Sequence, residues 1–378
     1  MAERVYFHIG VPKSGTTFVQ TTMWHNRDVL RERGWLYPGR KRMDHYHAGH
    51  EIRGGRTRRP EHRGIWAGMV SDLAAWPGQG LVSHEFLSMA TPEQARAAIE
   101  AVAPAEVHVV VTVRDYVRQF PAVWQEALKM GSTQSLDEFA ERAVARDLPN
   151  GAWGWRSQNL PAVVRRWAQW LPSERVHLVT LPPPGAPRGL LWERWCAALE
   201  LDDAGLDLDA PFANESLGAP QVALMQRVIP HLDPSMDDLA LQHRWLRQYF
   251  GHEVLGPQRG DSFGLRREHA QVLATRSARA ARALGAAGYA VHGDLADLEV
   301  APDQLVRGRH PDDVPDDEAL ETAARAIAVM VRDVRDLNLA GTGRRSPSRR
   351  GADPEPRGRR LARAARRRIR DWRKGGRR

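Results

Sequence analysis

The stretch from Val107 to Val113 constrains the fold of this chain more than any other segment. It is an almost unbroken run of β-branched residues, a composition typical of a strand that is buried on both faces of a sheet. Sheets that are covered on both faces are as a rule parallel, with helices packed on each side. The run therefore predicts a central strand of a parallel α/β sheet.

Shorter apolar runs and helical spacing alternate along the rest of the chain. The other strands are predicted at Val5 to Gly10, Gly80 to Ser83 and Val176 to Thr180. After the first strand, helical spacing continues until Gly34, and Thr91 with Pro92 opens another helix as cap and first residue. Residues 37–64, rich in Gly, Arg and His, predict a loop, and residues 215–290 are mostly helical in pattern. The alternation predicts a doubly wound parallel sheet flanked by helices, with right-handed crossovers.

The positive charge of the chain is concentrated at one end. The net charge is +9, but residues 341–378 contain 16 Lys and Arg against 3 Asp and Glu, a local net charge of +13. The first 340 residues therefore carry a net charge of −4, so nucleic acid is not an expected partner of the folded body. We predict one α/β domain over residues 1–340 and an Arg-rich tail over residues 341–378.

The tail combines a predicted linker with a predicted amphipathic helix. Residues 341–357 are rich in Gly, Ser, Pro and Arg, a composition typical of a disordered linker. Beyond them, apolar side chains recur every three or four positions among arginines, at Leu361, Ala365, Ile369 and Trp372. A basic helix of this kind fits an anionic membrane surface. Polyanion binding and a merely solvated tail are the alternatives.

Other features of the sequence favour a cytoplasmic protein. No run approaches the 18 or more apolar residues of a membrane-spanning helix. The residues after Met1 lead directly into the first predicted strand and do not resemble a signal peptide. With Cys196 as the single cysteine, an internal disulfide is excluded. We expect a cytoplasmic location, with peripheral membrane binding through the tail as an option.

The first predicted strand runs into a turn that has the properties of an anion site. The residues Gly10-Val-Pro-Lys-Ser-Gly-Thr-Thr17 connect the strand to a helix, and the free N–H groups and dipole at the start of a helix attract anions. Gly10 and Gly15 are spaced as in the nucleotide-triphosphate loop G-x4-G-K-[ST]. Thr16, however, occupies the position of that lysine, and Lys13 lies inside the turn. Arg114, directly after the Val107 strand, indicates that protein cations and not a metal ion neutralise the phosphates.

The segment Pro12 to Thr17 resembles the 5′-phosphosulfate loop of sulfotransferases that use 3′-phosphoadenosine 5′-phosphosulfate (PAPS). Weaker similarity to bacterial sulfotransferase-like proteins extends to 214–218 and 288–295. The resemblance implies a P-loop-type α/β fold, PAPS as donor, 3′-phosphoadenosine 5′-phosphate (PAP) as product, and no metal. It implies that Lys13 stabilises the charge on the departing phosphate oxygen. It also implies that the 5′-phosphate is bound by Ser14, Gly15, Thr16 and Thr17.

A second motif of the family binds the 3′-phosphate through a strand-end arginine and a serine eight residues later. Arg114 matches the arginine, whereas Ala122 stands at the position of the serine. Gln119 and Gln125 are candidate substitutes. The later glycine-rich nucleotide segment of the family has no recognisable counterpart in this sequence.

The acceptor must lose a proton, so the reaction needs a general base. In cytosolic members of the family a histidine after a threonine on the corresponding strand serves as base, and His84 after Ser83 is similar. Glu85 is the other candidate. Adjacent strand residues point to opposite faces, so we expect one of the two to reach the site. The expected acceptor is the hydroxyl or amine of a small molecule or glycolipid, and the sequence predicts no oligomeric state.

Two other functions compete with this interpretation. A nucleotide kinase or NTPase of the same fold would use an acidic residue such as Asp115 to hold magnesium. A non-catalytic, anion-binding relative docked at a membrane by the tail is the second alternative. The spacing of His45, His47 and His50 is no standard zinc signature, and we expect these residues to border the acceptor pocket without a metal.

Overall fold

The computed structural model of the chain describes residues 1–55, 60–149, 151–187, 189–209 and 216–341. The chain divides into two compact units, Met1–Pro315 and Asp316–Arg378, and the first contains every predicted site residue. The described part of the second unit is one long helix, Asp316–Gly341. The predicted amphipathic helix and nearly all of the linker lie outside the described residues, and the predicted boundary at residue 340 stays a prediction. None of the described helices combines the length and apolar character needed to cross a membrane.

Six parallel strands form a single sheet in the order β2-β3-β1-β4-β5-β6. Their bounds are β1 Arg4–His8, β2 Trp35–Leu36, β3 Gln79–Ser83, β4 Glu106–Val113, β5 Val176–Thr180 and β6 Ala290–His292. The strand predicted at Val107 is β4, and it lies between β1 and β5 with nearly all of its residues buried.

Helices connect the strands and continue beyond them. In chain order they are α1 Thr16–His25, α2 Arg27–Glu32, α3 Asp44–Ile52, α4 Ile65–Ala74, α5 Pro92–Ala101, α6 Tyr116–Lys129, α7 Leu136–Ala145, α8 Trp155–Gln158, α9 Leu160–Ala168, α10 Leu190–Leu199, α11 Ala219–Val228, α12 Leu239–Leu241, α13 Arg267–Gly285 and α14 Asp316–Gly341. The short α12 continues as a π-helix, Gln242–Leu255. Among the 3₁₀ turns, Glu85–Met89 follows β3.

Helices cover both faces of the sheet, as predicted. The neighbouring β1 residues Tyr6 and Phe7 point to opposite faces, and both are buried. Tyr6 belongs to a core cluster that includes Val19 of α1 and Trp195 of α10. On the other face Phe7 packs against Trp167 of α9, with ring centroids 5.4 Å apart.

The strand order places a crevice at the carboxyl ends of β1 and β4. From β1 the chain leads to β2 and β3 on one side of the sheet, whereas from β4 it leads to β5 and β6 on the other side. The two loops that leave β1 and β4 therefore part in opposite directions. Open α/β sheets bind their ligands at such a point, and the Lys13 loop and Arg114 lie there.

Three local predictions were wrong. The segment 37–64 was predicted to be a loop, but it contains the helix α3. The chain leading into this helix is held by Asp44 Oδ2, which accepts hydrogen bonds from the backbone N–H groups of Arg40 and Lys41 at 2.8 and 2.9 Å. The helix expected to reach Gly34 is two helices, α1 and α2, separated at Asn26. Finally, β3 ends at Ser83, so His84 and Glu85 are not strand neighbours.

Candidate functional site

The loop between β1 and α1 depends on left-handed backbone angles. The φ angles of Gly10, Lys13 and Gly15 are 96°, 69° and 84°. Glycine is required at position 10, because a Cβ atom there would lie 2.8 Å from the Cα atom of Glu85. Lys13 adopts this conformation without being glycine, at a cost of about 1–3 kcal/mol. Such strain persists where the surrounding structure imposes it, and here it fixes the direction in which the lysine leaves the loop.

A buried row of hydrogen bonds supports the loop, and it is formed by the side chains of Ser83, His8, Thr112 and Ser14. We call this row the loop floor. Ser83 Oγ lies 2.7 Å from His8 Nδ1, and His8 Nε2 lies 3.4 Å from Thr112 Oγ1. Thr112 Oγ1 lies 2.6 Å from Ser14 Oγ, which donates to the carbonyl oxygen of Val11 at 2.5 Å. With a proton on Nε2 of His8, each group of the row donates once to the next.

The loop floor is neutral and uses the hydroxyl of Ser14. Burial lowers the pKa of His8 to about 3, so the ring is uncharged. Ser14 is fully buried, and both its hydroxyl and its N–H bond the carbonyl oxygen of Val11. The structure thus places the hydroxyl predicted to contact a 5′-phosphate inside the protein, where it holds the loop.

The start of α1 supplies the donors at the loop. No side chain of the described residues caps this helix, and its first turn contains no acidic residue. The first N–H groups of a helix have no partner within the helix, and the dipole adds positive potential around them. Gly15 is the N-cap, Thr16 is buried and Thr17 is partly exposed. This end of α1 can receive an anion through backbone groups.

Arg114 joins the carboxyl end of β4 to the loop. Its Nη1 donates to the carbonyl oxygen of Lys13 at 3.1 Å. Its Nε is buried and has no partner in the part of the chain that the structure describes. Burial, followed by the charge of Arg118, lowers the pKa of Arg114 to about 10. A guanidinium that is desolvated and incompletely paired gains most from a bound anion.

Lys13 and Arg114 line the same cleft, which has a volume of about 800 Å³. Arg118 and Arg307 also line it, and Asp303 is the acidic residue among its described walls. The glycine-bearing stretch 260–264 forms part of the wall, although no glycine-rich nucleotide segment was recognised in the sequence. The cleft is therefore a cationic pocket with close backbone walls, which suits a phosphorylated ligand.

The cleft wall carries no hydroxyl at position 122, where the family's serine would be, but it carries one at Ser216. Ala122 lines the cleft beside Gln125 and Ser216. Gln125 is engaged with the backbone of Leu217, to which its Nε2 donates at 3.2 Å. Gln119, the other candidate substitute, donates to the carbonyl oxygen of Pro12 and to Gln158. Of the similar segment 214–218, residues 214 and 215 lie outside the described residues, whereas Ser216 lines the cleft and offers a hydroxyl group, as does Ser262.

Lys13 points to a buried carboxylate that the sequence did not reveal. Its Nζ donates to Glu126 Oε1 at 3.1 Å, Arg247 Nε donates to Oε2 at 2.9 Å, and Lys129 Nζ lies 3.5 Å from Oε1. We call Lys13, Lys129 and Arg247 around Glu126 the cation cluster. Although burial opposes it, these three charges hold the pKa of Glu126 well below its usual range.

One signal in the sequence could have pointed to the cation cluster. Only four of the 55 basic residues are lysines, and two of those four, Lys13 and Lys129, meet at Glu126. A lysine offers a compact ammonium group with three rotatable donors, in contrast to the planar guanidinium of arginine. Arg247 lies on the π-helix, more than 100 residues further along the chain, and no local pattern connects it to the others.

His84 and Glu85 lie on the other side of the loop and do not line the 800 Å³ cleft. His84 Nδ1 accepts from the backbone N–H of Phe86 at 3.1 Å, and burial lowers the pKa of the ring. Glu85 Oε2 accepts from Gln20 of α1 at 3.0 Å. Burial raises the pKa of Glu85, but His84, a backbone amide and Gln20 together bring it below its usual value. Glu85 therefore stays ionised next to Gly10.

Asp115, the residue considered for magnesium, caps α6. Its Oδ1 accepts from the backbone N–H of Arg118 at 2.8 Å, and its Oδ2 pairs with the Arg118 side chain. Both oxygens are thus occupied within the protein, and the residue is buried.

The three histidines of α3 do not converge on one point. His45 is buried, accepts from the backbone N–H of Ser83 at 3.2 Å and stacks on Tyr37. His47 stacks on His62, with ring centroids 3.7 Å apart. In the described ranges, the grouping with metal-ligand spacing is Asp137, His310 and Asp312. Arg266 donates to Asp137 at 2.8 Å, so that grouping is part of an ion-pair network.

Comparisons with protein-family models, with curated proteins and with solved structures found no match to this chain. The residues and geometry of the cleft are therefore the basis for inferring a function.

Proposed function

We propose that this protein is a PAPS-dependent sulfotransferase of the P-loop type, which transfers a sulfuryl group to a hydroxyl or amine without a metal ion. One observation carries the proposal. The strained Lys13 and the incompletely paired Arg114 are joined by a hydrogen bond and line one cationic cleft at the crevice between β1 and β4.

The two phosphates of PAPS would occupy two positions, one at the start of α1, which is outside the lining of the cleft, and one at Arg114, which lines it. The 5′-phosphate would accept from the backbone N–H groups at the start of α1, around Gly15 and Thr16, where no side chain of the described chain acts as cap. The 3′-phosphate would pair with Arg114, whose Nε lacks a partner among the described residues. Ser216 would provide the hydroxyl that Ala122 lacks.

The reaction requires one bond to break and one to form in line. The sulfur–oxygen bond to the 5′-phosphate breaks while the acceptor oxygen or nitrogen bonds to sulfur, and the acceptor proton passes to a base. Lys13 donates to the bridging oxygen as negative charge develops there. For this role Lys13 must exchange its contact with Glu126 for one with the donor.

The hydrogen bonds favour Glu85 over His84 as the base. Because His84 accepts at Nδ1, the neutral ring carries its proton at Nε2 and has no free lone pair to receive another. Glu85 uses one oxygen for Gln20, and an ionised carboxylate retains lone pairs for the acceptor proton.

Calorimetry with PAP tests the proposal directly. We expect saturable binding with a dissociation constant on the order of 1 μM, an affinity worth about 8 kcal/mol. ATP with magnesium serves as the comparison ligand. Absence of heat with PAP, or tighter binding of ATP with magnesium, would remove the sulfotransferase assignment.

A further inference from the structure

The cation cluster contains more positive charge than the protein neutralises. Lys13, Lys129 and Arg247 contribute three positive charges, and Glu126 contributes one negative charge. The side chains of Lys129 and Glu126 are 2% and 4% exposed. Two surplus charges around a buried carboxylate are unfavourable, because water reaches the three cations only in part and no second carboxylate contacts them among the described residues.

The individual contacts also leave donors for a ligand. Lys13 Nζ makes one hydrogen bond, to Glu126, although an ammonium group has three donors. Arg247 bonds Glu126 through Nε, and its two terminal nitrogens have no partner in the described part of the chain. Lys129 Nζ lies 3.5 Å from Glu126 Oε1 in an ion pair and makes no closer contact with this carboxylate. These are donors suited to the oxygens of an anionic group.

The cluster includes a polar atom that the protein leaves unsatisfied. His252 Nε2 is buried without a partner in the described ranges. Burial, with the charges of Lys129 and Arg247, lowers the pKa of His252 to about 4, so the ring is neutral. A neutral imidazole can still donate one hydrogen bond to an oxyanion.

The opening to solvent lies between Lys13 and Arg247. Their side chains are 25% and 21% exposed, in contrast to the buried Lys129 and Glu126. Lys13 also lines the 800 Å³ cleft, whereas Lys129 and Arg247 do not. The cluster therefore borders the cleft through Lys13 and extends beyond it. Arg247 and His252 lie on the π-helix, a conformation found often at functional sites.

We infer that Lys13, Lys129, Arg247 and His252 form a second anion site, distinct from the two phosphate positions, that binds one oxyanion group beside Lys13. As an anion site it stands on these contacts alone. As a statement about substrates it rests on the proposed function, and the oxyanion then belongs either to an acidic acceptor, carrying a carboxylate, sulfate or phosphate, or to the sulfuryl group of the donor.

Inorganic sulfate, titrated at constant ionic strength into the PAP-saturated protein, tests the site. PAP occupies the phosphate positions, so the remaining sulfate binding reports on the cation cluster. We expect Lys129→Met and Arg247→Met each to weaken sulfate binding at least about tenfold, the effect of losing one charge-assisted contact. Arg244→Met is the matched control, since Arg244 is exposed on the same π-helix, and it should change the affinity less than about twofold.

The possible outcomes separate the inference from the proposed function. Equal sulfate affinity in wild type, Lys129→Met and Arg247→Met would overturn the second anion site. So would an equal loss of PAP affinity in the two variants, because the cluster would then belong to the nucleotide site. If PAP gives no heat, the proposed function fails, and the same variants titrated with sulfate in the free protein still test the cluster.

Two further titrations identify the source of the oxyanion. If Lys129→Met weakens PAPS but not PAP, the site holds the sulfuryl group of the donor. If it leaves both unchanged and raises KM for an acidic acceptor but not for its neutral analogue, the site holds the acceptor. Lys129→Met should remain folded, because Met has a similar volume and Glu126 keeps two cations; its urea unfolding midpoint checks this.

Discussion

Two buried polar regions meet at the Lys13 loop, and they differ in how completely they are paired. In the loop floor, Ser83, His8, Thr112 and Ser14 form a neutral row in which each group donates once. In the cation cluster, three cations share Glu126 and one imidazole nitrogen has no partner among the described residues. Both regions are buried, so burial alone does not distinguish a structural site from a binding site.

The difference indicates which region can receive a ligand. A row of saturated hydrogen bonds has nothing to gain from another molecule, and any ligand would have to break an existing bond. A cluster with surplus charge gains from each oxyanion that enters it. We therefore assign the loop floor to stability and the cation cluster to binding, and five predictions test this division and the adjoining cleft, from the largest effect to the smallest.

Glu126→Gln should lower the free energy of unfolding by about 3–5 kcal/mol, because it leaves Lys129 in a dry site without a counter-charge. Urea denaturation near neutral pH measures the loss. The double variant Glu126→Gln with Lys129→Met removes the buried cation as well and should recover much of the stability. A loss of less than about 1 kcal/mol in the free energy of unfolding of the single variant would mean that the cation cluster is well solvated. This result would contradict the contrast between the cation cluster and the loop floor.

Lys13→Ala should reduce sulfuryl transfer on the order of 10²–10³-fold, the usual effect of removing one donor to a developing charge. PAP release from PAPS in the presence of the acceptor measures the rate. Lys41→Ala is the matched control, because Lys41 is an exposed lysine of the same unit. Near-normal turnover in Lys13→Ala would eliminate the proposed role of the lysine.

Stability should decrease as the pH falls from about 6.5 toward about 3, because unfolding lets buried imidazoles bind protons. Burial lowers the pKa of both His8 and His45 to about 3. Between pH 6.5 and 3 these rings are therefore neutral in the folded protein and protonated in the unfolded chain. The stabilisation from each imidazole is complete above its pKa in the unfolded chain, about 6.5. Below that pH it declines by about 1.4 kcal/mol per pH unit for each ring. Urea unfolding at several pH values measures the slope, and a flat profile would show that the loop floor is not neutral.

Arg114→Met should weaken PAP binding by about 1.5–3 kcal/mol, the value of a hydrogen bond to a charged group. Calorimetry compares this variant with Arg96→Met, which removes an exposed arginine that pairs with Glu100. Unchanged affinity in Arg114→Met would place the 3′-phosphate elsewhere in the cleft.

Ala122→Ser should strengthen PAP binding slightly, by about 0.5–1.5 kcal/mol, because it restores a hydroxyl on the wall of the cleft. Ala127→Ser on the same helix is the control for the effect of serine on α6. A weaker complex in Ala122→Ser would mean that Ser216 already fills the role and that the added oxygen obstructs it.

The sequence was sufficient for the central part of the fold and for the loop. Strands β4 and β5 lie where β-branched runs predicted them, because a strand buried on both faces needs such runs. The edge strands β2 and β6 have two and three residues, too few to produce a pattern. Helix α3 was missed because its buried face includes Asp44, His45 and Gly49 and not a row of apolar residues.

The site was predictable only where its residues directly follow a predicted strand. Lys13 and Arg114 could be found because each follows a strand, and parallel strands bring their carboxyl ends together. Glu126 and Arg247 are 121 positions apart, and only the packing of α6 on the π-helix brings them into contact. The hydroxyl of Ser14 was assigned to a ligand because a sequence cannot tell on which side of a loop a buried side chain lies.

The uncapped start of α1 has a consequence for the protein without bound nucleotide. A side chain at the N-cap can accept from the first N–H groups of a helix, and among the described residues none does so at α1. A bound phosphate would take the place of a capping side chain, because its oxygens would accept hydrogen bonds from the first N–H groups of α1. Amide exchange at Thr16 should then be faster without nucleotide than with it, and this amide would report occupancy in a residue-specific way.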